Sequence, residues 1–129
     1  MIKRVLIVDD SGISRKMMRK CLEFSGLSQA EFLEAEDGEK ALEVLERTQI
    51  DLLVTDLNMP IMDGFELLRA IDETKLGQNM LKIVTSSAAS AAIYDEMRRH
   101  GVMAVFAKPV SPTEMAKVLA GKISDRKVP

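Results

Sequence analysis

The sequence predicts an α/β fold in which five parallel strands form one doubly wound sheet with helices on both of its faces. Short apolar runs alternate with longer amphipathic stretches along the whole chain, and this alternation indicates a (βα)5 series. The runs are almost continuously apolar, which is typical of parallel strands that are covered on both sides. Because crossovers between parallel strands are right-handed, we expect helices on both faces of the sheet.

Four apolar runs are predicted to be buried strands, and a more polar run completes the sheet. The four runs are residues 5–8, 50–54, 81–84 and 102–107. The remaining strand is Glu31–Ala35, which lies between the first and second predicted helices. Its polarity predicts a position at an edge of the sheet.

Apolar residues at helical spacing predict the helices between the strands, and we expect each stripe to face the sheet. The stripes are Ile13, Met17, Cys21 and Phe24; Leu42 and Leu45; Phe65, Leu68 and Ile71; and Met115, Leu119 and Ile123. Capping residues delimit these helices. The predicted N-caps are Ser11, Asp37, Asp63 and Ser111, and the predicted C-terminal glycines are Gly26 and Gly101.

Length and composition are those of one globular domain, with 129 residues of which 47% are hydrophobic and 29% are charged. We assign residues 1–123 to this domain and 124–129 to a polar tail, with no effector domain after the fifth helix. The net charge of −2 gives no general attraction to nucleic acid or acidic lipid. No run is long enough for a membrane span, and the single Cys21 excludes an internal disulfide, so we expect a cytoplasmic protein.

Carboxylates follow two of the predicted strands. Asp9 and Asp10 come after the first strand, and Asp56 comes after the third. Ligands of open α/β sheets bind beyond the carboxyl ends of the strands, so we expect these side chains to meet. Two carboxylates about 4 Å apart repel by roughly 4 kcal/mol at an effective dielectric constant of about 20, and a cation would relieve this repulsion. Oxygen ligands without a nearby His or Cys cluster favour Mg²⁺.

Hydroxyl and ammonium groups follow the other two strands of the predicted site. Thr85, Ser86 and Ser87 end the fourth strand, and Lys108 ends the fifth. Carboxylate, metal, hydroxyl and ammonium together make a site for phosphoryl transfer. Asp56 is the expected nucleophile, Ser86 donates a hydrogen bond to one phosphoryl oxygen, and Lys108 provides positive charge at another.

Four short motifs stand in register along the chain. They are Val8-Asp9-Asp10-Ser11, then Asp56-Leu57-Asn58-Met59-Pro60 with Asp63-Gly64, then Thr85-Ser86, and finally Lys108-Pro109. Together they resemble the motifs of the receiver domains of two-component response regulators, a CheY-like superfamily with a flavodoxin-like fold. The likeness covers almost the whole chain and is nearest to the single-domain type known from chemotaxis.

The resemblance implies a signalling switch rather than an enzyme with a separate substrate. Asp56 would accept a phosphoryl group from a histidine kinase, and the chain would assist its own phosphorylation and dephosphorylation. Asp9, Asp10 and Asp56 would bind Mg²⁺ together with the backbone carbonyl of Asn58. The Lys108-Pro109 bond is expected to be cis. A face made by helix 4, strand 5 and helix 5 would bind a downstream protein, without direct contact to nucleic acid or insertion into a membrane.

Positions 86 and 105 decide how the predicted site would switch. Counting back from Lys108 selects Ser86 as the family's switch hydroxyl, and strand alternation points Thr85 and Ser87 elsewhere. Val105 stands where similar proteins commonly carry an aromatic residue. Phe106 is one residue later and therefore on the opposite face of the strand, so it is interpreted as core, and switching through an aromatic ring is placed in doubt.

Several conspicuous residues are given structural roles. His100 precedes Gly101 at the end of a predicted helix, where a positive group complements the helix dipole, and no metal-binding partners are placed near it. Asp63-Gly64 is interpreted as a capped turn into the third helix. The methionines on helical stripes are interpreted as core, and Met59 and Met62 are assigned no role beyond packing.

Two other functions compete with the switch. The first is a Mg²⁺-dependent phosphatase with an aspartyl nucleophile, in which an acidic residue would stand two places after the nucleophile. Asn58 occupies that place, and no substrate-binding insertion is present. The second is an interaction module that works without phosphate, and the complete acidic site argues against it.

Overall fold

The computed structural model describes residues 2–88 and 90–124. Strands and helices alternate in the order that the sequence predicts. The strands are β1 Arg4–Val8, β2 Glu31–Ala35, β3 Leu52–Asp56, β4 Leu81–Ser86 and β5 Ala104–Ala107. The helices are α1 Gly12–Leu22, followed by a π-helical turn Glu23–Leu27, α2 Gly38–Arg47, α3 Gly64–Asp72, α4 Ala91–Arg99 and α5 Pro112–Ser124.

The five strands form one parallel sheet in the order β2-β1-β3-β4-β5. The predicted fold class is therefore confirmed, and β2 lies at an edge as its polarity indicates. The chain moves outward from β1 to β2 and then returns to the other side of β1 to form β3. The strand order reverses between β1 and β3, so the carboxyl ends of these strands are the expected position for a ligand site.

Alternate residues of each strand feed two separate cores, one on each face of the sheet. Leu6 and Val8 of β1 pack with the helices α2, α3 and α4, whereas Val5 and Ile7 pack with α1 and α5. Buried helix residues close each core. They are Leu45, Leu68, Ile71 and Met97 on the first face, and Leu22, Met115 and Leu119 on the second. This arrangement is the doubly wound packing that the sequence predicts.

Strand β3 begins two residues later than predicted, because the side chain of Asp51 binds main-chain groups near the start of β1. Its carboxylate accepts hydrogen bonds from the main-chain N–H groups of Lys3 and Arg4, at 2.8 and 2.9 Å. Strand β5 also begins later than predicted, at Ala104. The preceding Val102 still belongs to the end of α4, since its N–H donates to the carbonyl of Met97 at 3.1 Å.

The predicted orientation of α1 is wrong. Ile13, Met17 and Phe24 are 75%, 62% and 72% exposed, and only Cys21 of the predicted stripe is buried. The face that packs on the sheet contains Leu22 and, half-buried, Met18. Helix α1 carries apolar residues on both faces, so periodicity alone did not decide which face is inside. The stripes of α2, α3 and α5 lie against the sheet as predicted, with the side chain of Ile123 outside the described part.

The predicted N-caps are confirmed. Main-chain N–H groups of the first helical turns donate to the side chains of Ser11, Asp37, Asp63 and Ser111. Gly101 follows α4 with a positive φ angle of 72°, as predicted, whereas Gly26, with a φ of 109°, interrupts the π-helical turn Glu23–Leu27 and does not follow a helix. Ser124, the first residue of the predicted tail, is the last residue of α5, and 125–129 lie outside the described residues. Within the described ranges, no helix is both long and apolar enough to cross a membrane.

Candidate functional site

Three carboxylates from two strand ends meet at the carboxyl edge of the sheet. Asp9 follows β1 directly, Asp56 is the last residue of the neighbouring β3, and Asp10 lies one residue beyond Asp9. One oxygen from each side chain lies within 4.8 Å of the other two. Asp9 and Asp56 are buried, whereas Asp10 is exposed. The structure thus brings together the three acidic residues on which the sequence argument depends.

Lys108 reaches into this cluster from the end of β5. Its Nζ donates to Asp9 Oδ2 at 3.0 Å and to Asp56 Oδ2 at 2.9 Å. Partial burial lowers the pKa of the Lys108 ammonium, but its hydrogen bonds to Asp56 and Asp9 and their attraction outweigh this effect, so the pKa is raised. The ammonium is therefore charged at neutral pH. It balances one of the three negative charges.

The main chain holds the second oxygen of both buried carboxylates. Asp9 Oδ1 accepts from the N–H of Ser11 at 2.9 Å, and Asp56 Oδ1 accepts from the N–H of Leu57 at 2.8 Å. Each buried carboxylate therefore has one oxygen bound to its own loop and the other bound to Lys108. Their orientations are set before any ligand arrives, which is the arrangement that electrostatic catalysis needs.

The loop after Asp56 passes very close to the main chain of the strand. The N–H of Gly64 donates to the carbonyl of Leu57 at 2.9 Å, and a Cβ at position 64 would lie 2.4 Å from the Asp56 carbonyl oxygen. Asp63 caps α3 in a reciprocal capping box with Glu66, as the predicted turn requires. Only glycine fits at position 64, so this residue sets how the loop leaves the phosphoacceptor candidate.

The hydroxyl residues at the end of β4 point in different directions. Thr85 lines a cavity on the α1 and α5 side of the sheet, and Ser87 is exposed. Ser86 is buried, and its Oγ accepts from the N–H of Ala88 at 3.1 Å. The carbonyl of Ser86 also accepts from the N–H of Lys108 at 3.0 Å, which joins the ends of β4 and β5. A role for Ser86 toward phosphate stays a prediction, as does one for the carbonyl of the exposed Asn58.

The alternation of β5 agrees with the argument about the missing aromatic residue. Val105 packs with the core on the side of α3 and α4, and Phe106 packs with the core on the side of α1 and α5. Phe106 is therefore a partly buried residue packed against the core on the wrong face to replace an aromatic at position 105. The Lys108-Pro109 peptide bond is cis, as the family resemblance implies.

An apolar cavity of about 880 Å³ borders the site between α1 and the segment after β5. Asp9 and Lys108 line the end nearest the carboxylates, and most of the remaining lining is apolar, with Ser14, Lys20, Thr85 and Thr113 among it. Met17, Phe24 and Pro112 are among the apolar residues. Sequence reasoning missed this cavity. The signal was the apolar excess of α1, which is larger than a single buried face needs.

His100 and Cys21 take the structural roles predicted for them. His100 Nδ1 is paired with Asp72 Oδ2, and the His100 carbonyl accepts from Lys82 Nζ at 2.7 Å. This places His100 at the opposite end of the sheet from the carboxylate cluster. Cys21 is buried beside the apolar cavity, and burial raises the pKa of its thiol, which suits a core residue.

Comparison with known proteins decides the family. The response regulator receiver domain matches residues 5–120. The chain belongs to this family. It is 33% identical over 120 residues to the chemotaxis protein CheY of Pseudomonas aeruginosa, which covers 93% of this chain and 92% of that protein. A CheY homologue of Campylobacter jejuni is 32% identical over 124 residues, with 95% and 90% covered.

Solved receiver domains share the fold over nearly their full length. The CheY-like receiver domain of Methanospirillum hungatei superposes with a TM-score of 0.80 and 28% sequence identity, covering 98% of each chain. Longer relatives also occur. A receiver protein of Anaeromyxobacter is 34% identical over 110 residues, which are 44% of its length. Receiver domains are phosphoryl-accepting signalling switches, and this assignment favours a switch over the phosphatase alternative.

The residues present fit the magnesium ion that receiver domains generally bind. The donors at the site are carboxylate oxygens, two of them held in fixed orientations, and Mg²⁺ prefers such oxygen ligands. The exposed Asp10 leaves one side of the cluster open to water, and Mg²⁺ characteristically keeps several waters. Three carboxylates against one ammonium leave two negative charges uncompensated. A divalent cation matches this excess.

Proposed function

We propose that the chain is a phosphorylation-dependent switch of a two-component system, which accepts a phosphoryl group from a histidine kinase on Asp56. Mg²⁺ would be bound by Asp9, Asp10, Asp56 and the backbone carbonyl of Asn58. Phosphorylation would change the affinity for a downstream protein at the face of α4, β5 and α5. The observation that carries this proposal is the carboxylate cluster bridged by Lys108. A chemotaxis pathway and a cytoplasmic location stay predictions.

The side chains of the site have distinct roles in the proposed transfer. An Asp56 oxygen forms a bond to phosphorus while the bond from phosphorus to the donor nitrogen breaks, and the donor histidine keeps that electron pair. Lys108 already contacts Asp56, so its ammonium is in place to stabilise a phosphoryl oxygen there. Ser86 would donate its hydroxyl hydrogen to another oxygen. The bound metal would supply further positive charge to the phosphoryl oxygens.

A hydrogen bond to the Ser86 side chain offers a route from Ser86 toward α4. The Oγ of Ser86 holds the N–H of Ala88, which lies just before the N-cap Ser90 of α4. If Ser86 turns toward a phosphoryl group, this hydrogen bond is lost and the segment before α4 is released. The same movement bears on β5, because the Ser86 carbonyl holds the N–H of Lys108. This route needs no aromatic residue at position 105.

The exposed stripe defined by Ile13 and Met17 of α1 and by Phe24 of the following π-helical turn gives the phosphodonor protein a place to bind. Contiguous exposed apolar surface is typical of protein contact sites. Met17 and Phe24 line the same cavity as Asp9 and Lys108, so a protein bound there lies beside the carboxylates. We assign the kinase to this stripe and the downstream target to the face of α4, β5 and α5.

The experiment that tests the proposed function is phosphorylation by acetyl phosphate with Mg²⁺, followed by intact-protein mass spectrometry. We expect wild type to gain one phosphoryl group and Asp56→Asn to gain none. Asp95→Asn is the matched control, because Asp95 is exposed on α4 and pairs with Arg98 away from the site. No mass gain by wild type would overturn the switch and favour the phosphate-independent module. A gain by Asp56→Asn would assign the acceptor to another residue.

A further inference from the structure

We propose that Arg15 is a positioning residue for the metal-binding carboxylates, acting through the main chain between Asp9 and Asp10. The inference rests on the proposed function, since it matters only if these carboxylates bind Mg²⁺. Arg15 itself touches neither the carboxylate oxygens nor a reacting atom. Its contacts are with the backbone that carries them and with the neighbouring edge strand.

The guanidinium of Arg15 joins three parts of the fold. One nitrogen, Nη1, donates to the Asp9 carbonyl oxygen at 2.7 Å, and Nε donates to Glu34 Oε1 of β2 at 2.6 Å. The Arg15 side chain is 20% exposed, so these contacts are partly shielded from water. Because a guanidinium is planar with donors in fixed directions, two such contacts determine its orientation. Arg15 therefore ties the loop after β1 to the edge of the sheet.

The hydrogen bond from Arg15 to the Asp9 carbonyl oxygen completes the set of contacts that hold Asp9 in place. The N–H of Asp9 donates to the carbonyl of Ala35 at 3.1 Å, so its main chain is held on the β2 side at both ends. Its carboxylate is held by Ser11 and Lys108. The carbonyl that Arg15 binds belongs to the peptide unit between Asp9 and Asp10. The orientation of that unit determines where the exposed Asp10 carboxylate can lie.

The position of Arg15 is electrostatically unfavourable for helix α1 itself. Arg15 is the fourth residue of α1, whose first turn contains no acidic residue. Positive charge near a helix N-terminus opposes the helix dipole. A Cβ at Gly12 would lie 3.5 Å from Arg15 Nη2, so the side chain folds back over the start of the helix. The contacts with Asp9 and Glu34 must offset this cost, which points to a role outside the helix.

A purely electrostatic role of Arg15 and a positioning role predict different effects of its substitution on the affinity for Mg²⁺. If Arg15 acted only as a nearby positive charge, its removal would strengthen the binding of a cation, and Lys at this position would bind as wild type does. If Arg15 positions the loop, both Arg15→Gln and Arg15→Lys weaken binding. A lysine ammonium keeps the charge, but it cannot reproduce the two fixed contacts of the guanidinium.

The test is calorimetric titration of Mg²⁺ into folded protein, using wild type, Arg15→Lys, Arg15→Gln and Glu34→Gln. We expect both Arg15 variants to raise the Kd roughly tenfold, as for other residues that orient metal ligands. Glu34→Gln should raise it less, because the contact with Asp9 remains. The controls are Arg19→Lys and Arg19→Gln on the same helix, where Arg19 pairs with Glu23 at 3.5 Å and lies over Phe32. Both should bind Mg²⁺ as wild type does.

Phosphorylation by acetyl phosphate separates a positioning role from general damage. The Arg15 variants should need more Mg²⁺ for half-maximal rate and reach the wild-type rate at saturation. Wild-type affinity in Arg15→Lys, or tighter binding in Arg15→Gln, would overturn the inference and leave the proposed function intact. If the Arg15 variants do not fold, Glu34→Gln decides, and an unchanged Kd there counts against positioning. If wild type binds no Mg²⁺, the proposed function itself is wrong.

Discussion

The two ends of the sheet use the same residue types in opposite ways. At the amino end, Asp51 binds two main-chain N–H groups, and Asp72 faces both His100 and Lys82. At the carboxyl end, three aspartates lie together, and one lysine pairs with two of them, Asp9 and Asp56. Acidic residues at the amino end are satisfied by their neighbours and stabilise the fold. Those at the carboxyl end carry an excess of charge that only a ligand can balance, and this excess distinguishes a site from a structural contact.

The largest expected effect comes from the tight main chain at the carboxyl end. Gly64→Ala would place a Cβ 2.4 Å from the Asp56 carbonyl oxygen, so the loop must shift. We expect the free energy of unfolding to fall by about 3 kcal/mol, measured by urea titration. Gly121→Ala in α5 is the control, since among the described residues no atom beyond the adjacent helix backbone lies within 4 Å of its added Cβ, and stability there should rise by up to about 1 kcal/mol. Equal effects at both glycines would contradict the close approach.

Removal of the carboxylate at the amino end should destabilise the protein. Asp51→Ala leaves the N–H groups of Lys3 and Arg4 without their acceptor. Because both groups are partly reached by water, we expect a loss of about 1–2 kcal/mol in urea unfolding. Asp95→Ala, which removes an exposed helical ion pair, should change stability by less than about 0.5 kcal/mol. A neutral result for Asp51→Ala would remove the contrast between the two ends.

Removal of a carboxylate charge at the carboxyl end should instead raise the stability of the protein. Asp56→Asn keeps the size of the side chain and removes one of the repelling charges, although it also weakens the contact with Lys108. We expect stability in chelator to rise by about 1 kcal/mol, seen as a higher Tm. Added Mg²⁺ should stabilise wild type more than the variant. A lower Tm for Asp56→Asn in chelator would show that the lysine already balances the cluster.

The smallest expected effect is the pH dependence of the Lys108 contacts. The pKa of Lys108 is raised in the folded protein, so its stabilisation is complete below the ordinary lysine pKa of about 10.5 and is lost as pH rises through the folded value. In urea titrations at pH 7, the free energy of unfolding of Lys108→Met should be about 1 kcal/mol lower than that of wild type. This difference should shrink above about pH 10.5. A difference that grows with pH would contradict the ion pairs.

The sequence predicted the strands, the N-caps and the grouping of the carboxylates because each depends on local pattern or on strand order. The ends of parallel strands meet at one edge, so the order of the strands alone places Asp9 and Asp56 together. The face of α1 could not be predicted, because both of its faces carry apolar residues and the choice depends on packing against α5. The contacts of Arg15 and Lys108 depend on side-chain reach across different elements, which periodicity does not describe.

The polarity that identified β2 as an edge strand also protects the protein from self-association. An edge strand offers unpaired main-chain groups to which a second chain could add, and charged side chains oppose such pairing. Glu31 and Glu34 lie on this strand and are held by Arg4 and Arg15. An edge-to-edge contact between two copies would take these ion pairs out of water, and the cost of removing their water opposes the contact. Glu34, which holds Arg15 beside the acidic site, therefore also opposes the fibril-like addition of further strands to the sheet.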